Sequence, residues 1–185
     1  MIKEVYDYCE EHMEKSLQHL EYELQGLRTG RATPTLLDNI KVDYYGALTP
    51  LNQCSTINVP EARLLVVQPW DKSILSKVEK AIQSANLGLN PINDGILIRI
   101  PIPAMNDERR EELVRIVHQM AEDSRIAVRN IRREANDRIK KLEKDKDISE
   151  DNAKVAYDEI QKMTDEYIEK INKAQDTKEQ DILSE

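Results

Sequence analysis

All seven prolines of this 185-residue chain fall between Pro34 and Pro103, and all five glycines between Gly26 and Gly95. Neither residue sits in a helix interior without cost, so the segments on either side can run as long helices while the middle cannot. The partition predicts a small mixed domain inserted into a helical one: residues 1–30 with 105–185, interrupted by 31–104.

The flanks carry helical periodicity. Ile2, Tyr6, Cys9, Met13, Leu17, Leu20, Leu24 and Leu27 recur in steps of three and four, which puts them on one stripe. The stop is expected in Gly26-Leu-Arg-Thr-Gly30, where a glycine can take positive φ. Asn106-Asp107-Glu108 reads as an N-cap with acids in the first turn. The stripe Leu113, Val117, Met120, Ser124, Val128, Ile131, Ala135, Ile139 and Leu142 follows, ending in Lys144-Asp-Lys-Asp147. Ser149 caps a third helix, Ile148 is set to staple onto Ala153, and Ala153, Ala156, Ile160, Met163, Tyr167, Ile171 and Ala174 form its stripe.

The middle reads as strands. Ile40–Tyr44 and Ser55–Val59 alternate, Leu64–Val67 is a short buried run, and Ile96–Ile100 follows the turn signal Asn93-Asp94-Gly95. Ile74, Leu75, Val78, Ala81, Ile82 and Ala85 have helical spacing, with Asp71 or Ser73 as cap and Leu87-Gly88 as stop. The fold class expected is α+β: a long antiparallel three-helix bundle with an inserted small β/α/β domain on a two-stranded hinge. At the usual rise the second bundle helix is about 58 Å long and the first about 39 Å, so the surplus projects away from the insert. The hinge is assigned to Gly30, Arg31 and Ala32 going out and to Pro101, Pro103 and Ala104 coming back.

Composition removes several function classes. Charged residues are 34% of the chain, aromatics 4%, and Phe is absent. That mix favours long solvated helices over an enzyme with a large aromatic core. Cys9 and Cys54 make no disulfide framework and fit a reducing cytoplasm as packed side chains. No run approaches ~18 apolar residues, so no membrane span is expected. The first 28 residues hold seven acids against Lys3, Lys15 and Arg28, unlike a secretory or transit peptide. Gly26-Leu-Arg-Thr-Gly30 lacks the spacing and the Lys-Ser/Thr of a phosphate loop. His12, His19 and His118 are scattered, so no catalytic, metal or cofactor site is expected. Trp70 and Tyr44-Tyr45 are read as small-domain core.

One segment stands out by charge. Residues 125–141 carry seven basic side chains against Glu134 and Asp137, a local +5 in a chain of net −8. Arg125, Arg129 and Arg132 follow steps of four and three and share a helical face beside the buried stripe. Two readings stand open. Residues 150–185 carry eleven acids against five lysines, so the arginines could pair across bundle seams, a small gain for each pair. Alternatively the strip meets a folded RNA, since five of its seven basic residues are Arg and the planar fork suits phosphates. Arg132 and Arg133 point about 100° apart and cannot both serve one seam. The absence of nearby aromatics argues against single-strand stacking. A helical adaptor whose Arg face engages an acidic protein is the alternative function.

The chain also resembles, along nearly its whole length, the ribosome recycling factor family of bacteria and organelles. The matching stretches are Leu27-Arg-Thr-Gly-Arg-Ala32 with Pro34, Pro69-Trp-Asp71, Leu87-Gly-Leu-Asn-Pro91 and Ile98-Arg-Ile-Pro-Ile-Pro103. Glu108-Arg-Arg110, Val128-Arg-Asn-Ile-Arg-Arg133 with Ala135-Asn136, and Asp145-Lys-Asp-Ile-Ser-Glu150 match as well. Met105-Asn-Asp107 departs from the family's more usual Leu-Thr-Glu, though Asn still caps a helix.

The resemblance implies a non-enzymatic factor, without cofactor, of tRNA-like outline. It implies binding to the large ribosomal subunit after termination, and splitting of the ribosome with elongation factor G and GTP. It maps the family's rRNA-contacting arginines onto Arg129, Arg132 and Arg133, and its hinge-proximal motif onto Arg28 and Arg31. Arg125 joins that set from the helical face it shares. The protein is expected to act in the cytoplasm as a monomer.

Overall fold

A computed structural model describes residues 1–184. The chain forms two compact units, Met1–Thr29 with Asp107–Glu185, and Gly30–Asn106. The α+β class expected from the breaker distribution is what the chain adopts.

The first unit is three helices, α1 (Ile2–Gln25), α3 (Asp107–Lys144) and α4 (Glu150–Leu183). Cross-helix contacts give their directions. Tyr8 meets Glu134 while Ser124 meets the Ser16 carbonyl, so α1 and α3 are antiparallel. Arg132 reaches Gln161 while Arg125 reaches Asn172, so α3 and α4 are antiparallel too.

The stripes meet in one core, with Met13, Leu20, Leu113, Ile139, Ile160 and Ile171 fully buried. Each such side chain contributes about 1.5–3 kcal/mol on burial. At three positions a neighbour is buried in place of the predicted stripe residue. Val5 is buried and Tyr6 only half-buried, Ala121 is buried while Met120 is half-buried, and Thr164 is buried beside a half-buried Met163. In each case the smaller neighbour fits the close helix contact. Thr164 satisfies its hydroxyl by donating to the Ile160 carbonyl at 2.7 Å. Gly26 ends α1 with φ −72, so the expected positive φ is not there; it is at Gly30, φ +77, four residues on. Ser149 caps α4 as expected, accepting from the Asn152 amide at 3.1 Å.

The second unit holds strands β1 (Lys41–Tyr44), β2 (Ala47–Pro50), β3 (Ser55–Glu61), β4 (Leu64–Pro69), β5 (Ile92–Asn93) and β6 (Ile98–Pro101), with α2 (Leu75–Ser84). β3–β4–β6–β5 form an antiparallel sheet, and β1–β2 a separate hairpin. Leu64–Val67 alternates instead of being buried throughout. Leu65 and Val67 face inward opposite Ile100 and Ile98, and α2 covers them with Leu75, Val78 and Ile82. Asp71 caps the turn before α2 by accepting from the Ser73 amide at 2.9 Å. α2 ends at Ser84, ahead of the Leu87-Gly88 stop.

The core assignment of Trp70 and Tyr45 is corrected. Trp70 is 65% exposed and Tyr45 79%. Each is held on the rim by its polar tip, Trp70 Nε1 donating to Thr56 Oγ1 at 2.8 Å and Tyr45 Oη to Asp71 Oδ2 at 2.6 Å. Only Tyr44 packs against the core.

Candidate nucleic-acid interface on the third helix

The α3 strip divides by angle. Measured from the buried Val128–Ala135–Ile139 line, Arg125 and Arg132 lie about 40–60° round, and Arg129, Arg133 and Lys140 about 100–140° round on the same side. That side is the one α4 packs against. The first pair therefore sits at the seam with α4, and the others stand further out.

Arg125 is the most covered, its side chain 16% exposed. Its Nη1 donates to Asn172 Oδ1 and Gln175 Oε1, both at 2.9 Å, and its Nε to Glu122 Oε2 at 2.8 Å. The other oxygen of Glu122 accepts from Arg129 Nη1 at 3.2 Å. Arg125 first, then Arg129, holds the Glu122 carboxyl below the usual carboxylate range through these hydrogen bonds. Arg132 donates to Gln161 Oε1 at 3.3 Å and Arg133 to Asn130 Oδ1 at 3.4 Å, single bonds at the long end of the normal range. The partners of these arginines on α4 are thus neutral amides. The acidic residues of α4 do not neutralise the strip through these contacts, which weakens the seam-pairing reading.

On the flank toward α1, Arg138 stacks its guanidinium 3.7 Å from the centroid of the Tyr8 ring, whose hydroxyl donates to Glu134. Glu122, Tyr8 and the α4 amides carry no charge excess, so composition did not reveal them. The signal for Glu122 was positional: it precedes Arg125 by three and Arg129 by seven, on one helical face.

The remaining assigned residues lie in the two chain segments near the divisions at Thr29/Gly30 and Asn106/Asp107. Arg28 is exposed and Arg31 half-buried. Ala32 is buried, its amide donating to the Ala62 carbonyl at 2.7 Å, and Pro101 is the last residue of β6. The Ile102 amide donates to the Arg63 carbonyl at 2.8 Å, so both strands of chain are fastened to neighbouring residues of the β3–β4 turn. Gly30, Pro103 and Ala104 lie outside those two clamps. His19 pairs with Glu23 at 3.2 Å and His118 with Glu179, while His12 lies against Tyr8. Among the described residues no group of three or more His, Cys, Asp or Glu side chains is placed to hold a metal, and no helix is long and apolar enough to cross a membrane.

The sequence and the fold both have close counterparts. The family model described as Ribosome recycling factor matches residues 20–183. A ribosome-recycling factor of Halothermothrix orenii is 54% identical over 183 residues, covering 99% of both chains. A solution structure of the ribosome recycling factor superposes with a TM-score of 0.78 at 42% identity, over 100% of this chain and 98% of the other. Models for the T. thermophilus ribosome recycling factor and the E. coli elongation factor G bound to the E. coli post-termination complex match at 54% identity. There the TM-score is 0.66 and the coverage 99% of each chain.

Proposed function

The chain belongs to the ribosome recycling factor family, and on that premise we propose that it binds the large ribosomal subunit after termination and, with elongation factor G and GTP, splits the post-termination complex. The observation that carries the site is how lightly the α3 arginines beyond Arg125 are held. Arg129, Arg132 and Arg133 are each tethered by one hydrogen bond of 3.2–3.4 Å, so most of each guanidinium fork is available to phosphate oxygens. A rigid helix presenting arginines at fixed spacing suits a folded RNA, which is recognised by backbone and shape. Arg28 and Arg31, on either side of the first chain crossing, are further rRNA contacts in this reading.

The factor contributes no reacting group. Its work is mechanical: residues 1–30 and 105–185 hold the subunit RNA while residues 31–104 move under the force that elongation factor G transmits. The clamps at Ala32 and Ile102 support placing the flexible positions just outside them, at Gly30-Arg31 and Pro103-Ala104. Ala32 and Pro101 then act as the fixed edge of the moving unit. The protein works as a monomer in the cytoplasm.

Gradient sedimentation of post-termination ribosomes with this protein, elongation factor G and GTP tests the reading. Free subunits are expected only when all three are present. Intact ribosomes under those conditions would refute it, and retention of an acidic protein partner without ribosome binding would favour the adaptor alternative.

A further inference from the structure

The chain of contacts Asn172/Gln175–Arg125–Glu122–Arg129 spans the α3–α4 seam and ends at the surface. Its inner member is immobilised. Arg125 gives three hydrogen bonds of 2.8–2.9 Å to three acceptors and keeps only 16% of its side chain exposed. Its outer member is not: Arg129 is 38% exposed and has one bond, to Glu122. Glu122 divides its two oxygens between them, one per arginine. An arginine so enclosed has little fork left for a phosphate, whereas a carboxylate fixed on one side can fix a second arginine on the other.

We propose that Arg125 and Glu122 are positioning residues: Arg125 anchors Glu122, and Glu122 sets the guanidinium of Arg129 toward the RNA. This rests on the proposed binding of ribosomal RNA through α3. It changes the role expected for Arg125, whose charge and helical face alone made it a contact. Long side chains lose rotamer freedom at an interface, and a carboxylate that already restricts Arg129 removes part of that cost before binding. Glu122 also subtracts one charge beside the strip, so its influence on affinity has two opposed parts. The alanine cycle on Arg125 and Arg129 leaves the carboxylate in place and avoids that ambiguity.

The test is a double-mutant cycle on affinity for purified large subunits, with Arg125→Ala, Arg129→Ala and the pair, each checked for helicity and thermal unfolding. Arg125→Ala is expected to weaken binding roughly two- to tenfold, the weight of ordering one long side chain. The double variant should then be no weaker than Arg129→Ala alone. The salt slope should fall by about one for Arg129→Ala and stay unchanged for Arg125→Ala. Additive losses, or a slope that falls with Arg125→Ala, would make Arg125 a direct contact and overturn the proposal, as would unchanged binding in a folded Arg125→Ala protein.

If Arg125→Ala fails to fold, Glu122→Asp replaces it. That variant keeps the charge but shortens the reach, and is expected to weaken binding in the Arg129 protein and not in the Arg129→Ala protein; any other pattern overturns the proposal. Normal binding by Arg129→Ala together with an Arg129→Glu, Arg132→Glu protein would instead refute the RNA-binding reading itself.

Discussion

The Tyr167 hydroxyl of α4 donates to the Glu14 carboxylate of α1 at 3.0 Å, a polar tie between two helices whose other seam residues are largely hydrocarbon. Burial first, and Glu14 second, push the phenol from its ordinary 10.0 up to about 12. The folded state therefore holds the phenol neutral at pH values where the unfolded chain ionises it. Its contribution is complete below pH 10 and is lost as pH rises from 10 toward 12. Tyr167→Phe is expected to cost about 1–2 kcal/mol at neutral pH and to flatten the alkaline decline in melting temperature. Tyr6, Tyr8 and Tyr157 are raised as well, so a weaker decline persists. An alkaline decline identical in Tyr167→Phe and the parent would contradict the assignment.

Burial along α3 is sharply one-sided. Ile139 is fully enclosed, whereas Ile126, on the outward face, is 46% exposed. Ile139→Ala should destabilise by about 2–5 kcal/mol, and Ile126→Ala by no more than about 0.5 kcal/mol. Chemical denaturation of both variants checks this, and equal losses would be incompatible with the helix orientation described.

Trp70 is the sole tryptophan, so intrinsic indole fluorescence reports on one position. Its rim placement predicts solvent-like emission in the folded state and ready quenching by iodide. Blue-shifted, protected emission would return it to the core.

The helices were legible because each stripe is long and its period unmistakable; what the stripe could not rank was size. Val5 over Tyr6 and Ala121 over Met120 are decided by how closely helices approach, which periodicity does not encode. β1–β2 closes through Tyr45-Gly46 with φ +50 and +86, a two-residue turn that normally advertises itself by Asn-Gly. With Tyr in that position, held by Asp71, no turn signal was visible and β2 went unpredicted. β5, two residues long, offers no pattern at all.

The strip was legible as charge, and the difference between Arg125 and Arg129 was not. Both have the same chemistry and nearly the same face. Their separation depends on about 40° of rotation relative to α4, and hence on which helix packs on that side.

Gly30 is in the left-handed region at φ +77, where a Cβ is strained by about 1–2 kcal/mol. Gly30→Ala is therefore expected to slow subunit splitting while leaving equilibrium binding to the large subunit near its original strength. Parallel loss of both activities would argue that residue 30 serves binding and not motion.

The central claim, that α3 holds ribosomal RNA through Arg129, Arg132 and Arg133, meets its most direct test in the affinity of Arg129→Glu, Arg132→Glu protein for purified large subunits. Helical content and melting temperature should stay close to those of the parent, since both side chains have weak internal partners. Binding is expected to be abolished, while parent binding weakens steadily as salt rises. A folded double variant that binds large subunits as tightly as the parent would contradict the account.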